Sequence, residues 1–191
     1  MKIISERLIV RHFQESDFND YFEIESQPFK HEYYSERWWD LHRISEARRF
    51  EDILKSDNFY ALSLKASSKV VGRIKLCEPR LYYPYGLVRG AELDVRTNED
   101  FRNKGLMTEA VKSITKYGFD ELDLEAIYAR ILSENGASLR VFDKCGYNFK
   151  MEQKEFIDFD ELELTTTKGL TKQEYLDNPV YKALDVKFDR T

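Results

Sequence analysis

The sequence predicts an α/β protein of the α+β type, with a mixed, largely antiparallel central sheet flanked by helices. Three observations lead there. Strand-like alternation comes in runs: Phe59 to Lys65, Val70 to Leu76 and Ala91 to Val95 follow one another across short polar or Pro/Gly-punctuated connections. Helical stripes are few and flank those runs, without the regular β-α alternation that a doubly wound parallel sheet requires. The chain then returns to two strand patterns, Tyr147 to Ile157 and Leu162 to Thr167, joined by the acidic turn Asp158-Phe159-Asp160-Glu161.

Taken in order, Arg7 to Phe13 reads as a strand, with Leu8 and Val10 on one face and Ile9 and Phe13 on the other. Ser16, as N-cap, opens a helix whose Phe18, Tyr21 and Phe22 share a face. His31 to Trp39 is aromatic and polar without periodicity, a loop or broken helix. Ile44, Ala47, Phe50, Ile53 and Leu54 form a second helical stripe, ended by Ser56-Asp57-Asn58. Ala66 to Lys69 joins the next two strands as a polar hairpin connection. Glu78 to Arg89 is a loop carrying Pro79, Pro84 and Gly86 along with Tyr82, Tyr83 and Tyr85. After Val95 come a polar turn and a long amphipathic helix through Met107, Ala110, Val111 and Ile114, ending near Phe119. Ala126 to Leu132 is a strand, and Asn135 to Cys145 a short helix stopped by Gly146. The order is β-α-α-β-β-β-α-β-α-β-β, with a further short helix around Glu174 to Asp177 and a tail that packs on a neighbour or stays loose.

With 191 residues the chain fits one domain, 1–191, in which about 176–191 form a C-terminal extension. Lysine and arginine number 30 against 35 aspartates and glutamates, a net charge of −5 that gives no global field for nucleic acid. No apolar run approaches the roughly 18 residues of a membrane span. Glu6, Arg7 and Arg11 interrupt any signal-peptide core, and Cys77 and Cys145 stand alone without a CxxC, so a cytoplasmic protein without disulfide or zinc is expected. His12, His31 and His42 have no HExxH spacing, and no metal is expected. His31 and His42, near Trp38 and Trp39, read either as packing residues or as the lining of an acceptor pocket. The loop tyrosines likewise read as loop packing, a pocket wall or a dimer contact.

The chemistry concentrates between Ala91 and Tyr147. Over Glu92 to Ala110 a strand runs into a short loop, and the loop enters a helix at Gly105. Free N–H groups at a helix N-terminus, with the positive end of the helix dipole, attract anions. Gly105 lets the backbone approach a phosphate without a Cβ in the way, and Arg102 and Lys104 add charge. Neither GxxxxGK[ST] nor GxGxxG is present, and by itself the segment reads more readily as an ordinary turn with a helix-starting glycine. A second segment follows the next strand: Asn135-Gly-Ala-Ser138-Leu-Arg-Val141-Phe-Asp-Lys144-Cys-Gly146-Tyr147.

Together these two segments resemble the GNAT superfamily of acyl-CoA-dependent N-acetyltransferases. Arg102-x-x-Gly105-x-Met107 is similar to its (Q/R)-x-x-G-x-(G/A) pyrophosphate loop, and Asn135 to Tyr147 to its NxxSxxVxxKxGF signature. Ser5-Glu6-Arg7-Leu8-Ile9-Val10-Arg11 and Gly105-Leu-Met-Thr-Glu109-Ala110 resemble the ribosomal-protein N-terminal acetyltransferase branch. The agreement of elements extends over about residues 3–175. Two departures stand out. Met107 replaces the small residue that ends the loop, as the first apolar residue of the helix stripe. Phe142 occupies the place where many GNAT enzymes carry an acidic tyrosine.

The resemblance implies transfer of acetyl from acetyl-CoA to a primary amine, either a protein N-terminal α-amine or a small-molecule amine, by direct attack in a ternary complex. It implies that the amides of Arg102, Asn103, Lys104, Gly105, Leu106 and Met107 take the pyrophosphate. The strand backbone at Leu93, Val95 and Arg96 would take the pantetheine arm, joined by Asn135. Asn135 is also a plain N-cap, and the two roles are compatible. With Phe142 unable to protonate the departing thiolate, Ser138 takes that role by resemblance; its rival reading is a mere first-turn polar residue. Glu92, Asp94 and Glu155 are the alternatives for the general base. A catalytically degenerate acyl-CoA sensor or interaction module is the rival function. The protein would act as a monomer or homodimer, with neither nucleic acid nor membrane as partner.

Overall fold

Period-two alternation builds a single sheet, and two amphipathic layers cover its faces. A computed structural model of the chain describes residues 1–27, 36–77, 80–82, 88–158 and 161–190, with backbone alone over 36–42, 80–82, 155–158 and 161–162. The elements are β1 (Lys2–Ile4), β2 (Leu8–His12), α1 (Phe18–Glu25), α2 (Glu36–Leu54), β3 (Phe59–Leu64), β4 (Val70–Leu76), β5 (Arg80–Tyr82) and β6 (Val88–Thr97). Next come α3 (Leu106–Asp120), β7 (Ala126–Leu132), α4 (Gly136–Lys144), β8 (Phe149–Asp158) and β9 (Glu161–Thr171). The chain ends with α5 (Lys172–Asp177), α6 (Pro179–Lys182) and β10 (Lys187–Asp189). Strand order is β10-β1-β2-β3-β4-β6-β7-β9-β8, with β5 beside β6, and among the described residues only β6 and β7 run parallel. The mixed, largely antiparallel sheet expected from the sequence is the sheet observed.

The two faces have separate cores. Alternate residues of β2, β3 and β4 (Val10, Leu62, Val71 among them) pack with Val111 and Ile114 of α3, while Phe13, Tyr21, Ile24, Phe50 and Ile53 form a second cluster under α1 and α2. Phe50 sits within 6 Å of the Phe13, Phe18 and Tyr21 rings, so aromatic packing fixes where α2 crosses α1.

Two local expectations are corrected. Residues Glu15–Asp17 form a 3-10 turn in which the Asp17 carboxylate accepts from the Gln14 amide at 2.8 Å, so Ser16 is exposed inside the turn and is not the cap. In α2, Ile44 is 55% exposed, and the inward positions are Glu46, Phe50 and Ile53, spaced i, i+4, i+7. Glu46 is buried at 3% exposure because the Tyr21 hydroxyl donates to it at 2.7 Å and Arg49 pairs with it at 3.1 Å.

The C-terminal residues return to their own chain. Thr171 and Glu174 form a capping box that starts α5, and the Tyr175 ring stacks on Phe119 at 4.7 Å. The Tyr181 hydroxyl donates to the Cys145 carbonyl at 2.8 Å. β10 then pairs antiparallel with β1 and covers what would otherwise be an open sheet edge. The chain thus leaves the sheet at β9, beside the β8 edge, and returns as β10 to form the opposite edge, crossing the α3 side.

Candidate active site

Where β6 meets β7, the sheet splits. Their parallel ladder covers Gly90–Glu92 against Ala126–Tyr128 and stops. Beyond it β6 stays paired with β4 through Thr97, and β7 with β9 through Leu132. The Cys77 amide donates to the Glu92 carbonyl, and the Asn98 amide to Val71. Even-numbered residues of β6 therefore turn their backbone groups toward β4. By strand alternation, Leu93, Val95 and Thr97 turn theirs into the gap. Arg96, expected with them, does not: its backbone faces β4, and its guanidinium donates to Glu25 at 2.9 Å and to the Gln27 carbonyl at 3.3 Å.

The gap opens toward two helix N-termini, because parallel β6 and β7 feed α3 and α4 at the same end of the sheet. Between Thr97 and α3 the loop is held from below. Asn98, 1% exposed, accepts from the Asp100 amide at 3.0 Å and donates to Glu23 at 2.8 Å. Above that root, Arg102, Asn103, Lys104 and Gly105 are exposed, and Asn103 and Gly105 both have positive φ, 60° and 75°. The first backbone bond of α3 runs from the Glu109 amide to the Gly105 carbonyl. The six amides from Asn103 to Thr108 consequently find no acceptor among the described residues. The Arg102 amide, expected in the same set, instead donates to the Glu99 carbonyl at 3.1 Å because it closes the preceding 3-10 turn. Left-handed residues within such a loop turn consecutive N–H groups inward into an anion-binding nest. Met107 buries its side chain in the core while leaving its amide at the helix start. The Lys104 ammonium donates to the Asp100 carbonyl at 2.8 Å and lies over the Phe101 ring.

At α4, Asn135 accepts from the Ser138 amide at 3.1 Å, an N-cap as expected. The Ser138 hydroxyl has no hydrogen-bond partner among the described residues. Phe142 is 1% exposed and meets Tyr147 edge-on, so that position belongs to the core.

The candidate bases occupy the sheet face under α1 and α2, and both described ones are already paired. Glu92 takes a bidentate pair from Arg130 at 2.9 and 3.1 Å, with the Tyr128 hydroxyl at 3.5 Å. Asp94 is 53% exposed and pairs with Arg73 at 2.8 Å. Arg73 also donates to Glu25 at 2.6 Å, so one chain of charges runs Asp94–Arg73–Glu25–Arg96. Burial works against the Arg73 charge, but Asp94 and Glu25 overcome it and raise its pKa. Next to this chain is a pocket of about 440 Å³ lined by Tyr21, Asp52, Phe59, Lys75 and Asp94 among others. The Glu155 backbone pairs with Glu163 near the β8–β9 tip, but its side chain lies outside the described residues. So do His31, Tyr83 and Tyr85, and the side chains of Trp38, Trp39, His42 and Tyr82. Cys77 is half-buried on this face, where burial first and then Glu92 and Asp94 raise its thiol pKa, leaving it a poor nucleophile.

Comparison with known proteins decides the family. The sequence profile described as an acetyltransferase (GNAT) domain matches residues 7–148. The chain belongs to the GNAT acetyltransferase family. An uncharacterized N-acetyltransferase of Bacillus subtilis, YnaD, is 29% identical over 148 residues, 76% of this chain and 82% of that protein. A spermidine N(1)-acetyltransferase of Escherichia coli K12 is 31% identical over 64 residues, 34% of each chain. In fold, the GNAT chain resembles the ribosomal-protein-S5-alanine acetyltransferase of Vibrio fischeri, with a TM-score of 0.66 at 16% identity over 90% of this chain and 97% of the other. Several partners in this candidate site of the GNAT chain have no distinctive sequence signal. Arg130, Arg73 and Glu25 carry only the signal of charged residues alternating on strands or ending a helix, which thousands of surfaces share.

Proposed function

We propose that the protein moves the acetyl group of acetyl-CoA to a primary amine within a ternary complex. The observation that carries this reading is the run of six unaccepted amides from Asn103 to Thr108 at the mouth of the β6–β7 gap. Its two left-handed residues suit a pyrophosphate, which needs several convergent donors and no Cβ in the way. Bound there, acetyl-CoA supplies an acetyl thioester. The amides of Asn103 through Met107 hold the diphosphate, with the Arg102 and Lys104 side chains at its rim. The backbone of Leu93 and Val95 takes the arm as an added strand would and places an N–H near the thioester carbonyl. Asn135 orients α4 so that Ser138 Oγ can return a proton to the departing sulfur. Glu92, at the last β6–β7 pair, takes the proton from the incoming amine.

For the acceptor, the pocket beside Asp94 supports a single amine better than a polycation. Glu25, Asp52 and Asp94 are balanced there by Arg49, Arg73 and Lys75, so no net negative field awaits a polyamine. This favours an N-terminal α-amine or a small mono-amine over spermidine. One observation supports the rival reading of an acyl-CoA sensor: Glu92 and Asp94 are both capped by guanidinium groups. A panel of peptides, mono-amines and polyamines incubated with acetyl-CoA separates these. Turnover with mono-amines or peptides is expected; cofactor binding without turnover across the panel would establish the sensor.

A further inference from the structure

The two sequence stretches that resemble the ribosomal-protein branch, one near the N-terminus and one at the start of α3, meet in space. The Ser5 hydroxyl donates to Glu109 Oε1 at 2.8 Å, the Arg7 amide to the same oxygen at 2.7 Å, and Arg7 Nε to Oε2 at 2.7 Å. Arg7 Nη1 reaches past Glu109 to the Lys104 carbonyl at 2.9 Å. Arg7 Nη2 lies 3.5 Å from where a Cβ on Gly105 would sit, and has no acceptor among the described residues. The turn that presents these donors is itself fixed: the Ser5 amide donates to Leu8, the Lys65 amide to Arg7, and the Lys65 ammonium to the Ser5 carbonyl.

An isolated exposed ion pair contributes little. This one differs, because a carboxylate only 10% exposed receives three donors while the same guanidinium holds a loop carbonyl. The loop it grips is exposed, and its Asn103 holds a left-handed conformation that a non-glycine residue needs neighbours to maintain. We infer that Arg7 and Glu109 are positioning residues for the phosphate loop, a clamp from the β1–β2 turn that holds the Asn103–Thr108 amides in their convergent arrangement. The inference rests on the acetyl-CoA reading above.

The sign of one substitution separates positioning from simple charge. Glu109 places a negative charge on the first turn of α3, where it opposes an incoming phosphate. If charge alone mattered, Glu109→Gln would tighten CoA binding. The clamp requires the opposite: CoA and ADP affinity, measured by calorimetry, falls about tenfold in Glu109→Gln. Turnover of S-acetylpantetheine, which has no pyrophosphate, stays within about twofold at saturating amine. Arg7→Lys keeps the charge but cannot span both Glu109 and the Lys104 carbonyl, and it too loses about tenfold in CoA affinity. Unchanged or tighter CoA binding in both variants overturns the clamp, as does an equal loss with CoA and S-acetylpantetheine, which would mark general destabilisation. If Glu109→Gln does not fold, Arg7→Lys alone decides. Wild-type protein that binds neither CoA nor ADP would instead sink the acetyl-CoA reading itself.

Discussion

The two sides of the β6–β7 gap are built from opposite materials. At the α3 end the functional groups are backbone amides, left without acceptors and fixed by buried Asn98 below and by the Arg7–Glu109 pair at the side. On the α1–α2 face they are side-chain charges, each already satisfied by another: Glu92 with Arg130, Asp94 with Arg73, Glu25 with Arg73 and Arg96. Unpaired amides at an exposed helix start are held by water at little cost, so they stand ready for an anion with no rearrangement. A half-buried carboxylate has no such freedom; left unpaired, it would lose solvation without compensation. On the proposed reading, one region is therefore prepared for its ligand, while the other exchanges a guanidinium for an amine before it acts.

That contrast breaks if the side-chain region turns out not to matter. Glu92→Gln is expected to lower kcat by about a thousandfold, in the middle of the range for a positioned base, with CoA affinity unchanged by calorimetry. A drop below tenfold would remove Glu92 from the chemistry. Ser138→Ala sharpens the same point at about a hundredfold in kcat, again with CoA affinity within about twofold. Gly105→Val tests the backbone side. At φ 75° a β-branched residue is strained, and CoA affinity should weaken by about tenfold or more while the far-ultraviolet spectrum is retained. Affinity equal to wild type would mean that the loop is not the anion site. Asp94→Asn should raise KM for the amine by about threefold with little change in kcat, as befits an exposed charge at the pocket mouth.

The smallest effect concerns pH. Burial alone would raise the Glu109 pKa, but the Arg7 amide, the Ser5 hydroxyl and the Arg7 guanidinium together hold it below the ordinary 4.5. A carboxylate whose pKa is lower folded than unfolded adds stability above its unfolded value, and loses that contribution as pH falls through its folded value. Between pH 6 and about pH 3, the Tm of wild type should fall by a few degrees more than that of Glu109→Gln. Parallel curves would show that the clamp adds nothing to stability.

Much of the scaffold could be read directly. β4 and β7 have the bounds expected from their alternation, and α3 and α4 start beside the glycines and caps that mark them, because those signals are local. β1, β5 and β10 were not expected; each has three residues, too few to show a period, and each exists because a partner strand is present. Spacing alone turns Ile44 inward on α2, because Glu46 reads as solvent-facing until the Tyr21 hydroxyl is brought to it.

By itself the sequence marked the Arg102–Met107 loop and the Asn135–Tyr147 segment. Both are short segments whose chemistry lies in backbone conformation, and glycine, an N-cap asparagine and helical spacing encode that locally. Only the tertiary structure decided which backbone atoms of β6 face the gap, which guanidinium each acid meets, and that Arg7 and Glu109, 102 positions apart, share hydrogen bonds. Register and ion pairing are properties of elements brought together from distant parts of the chain, and no local pattern of residues carries them.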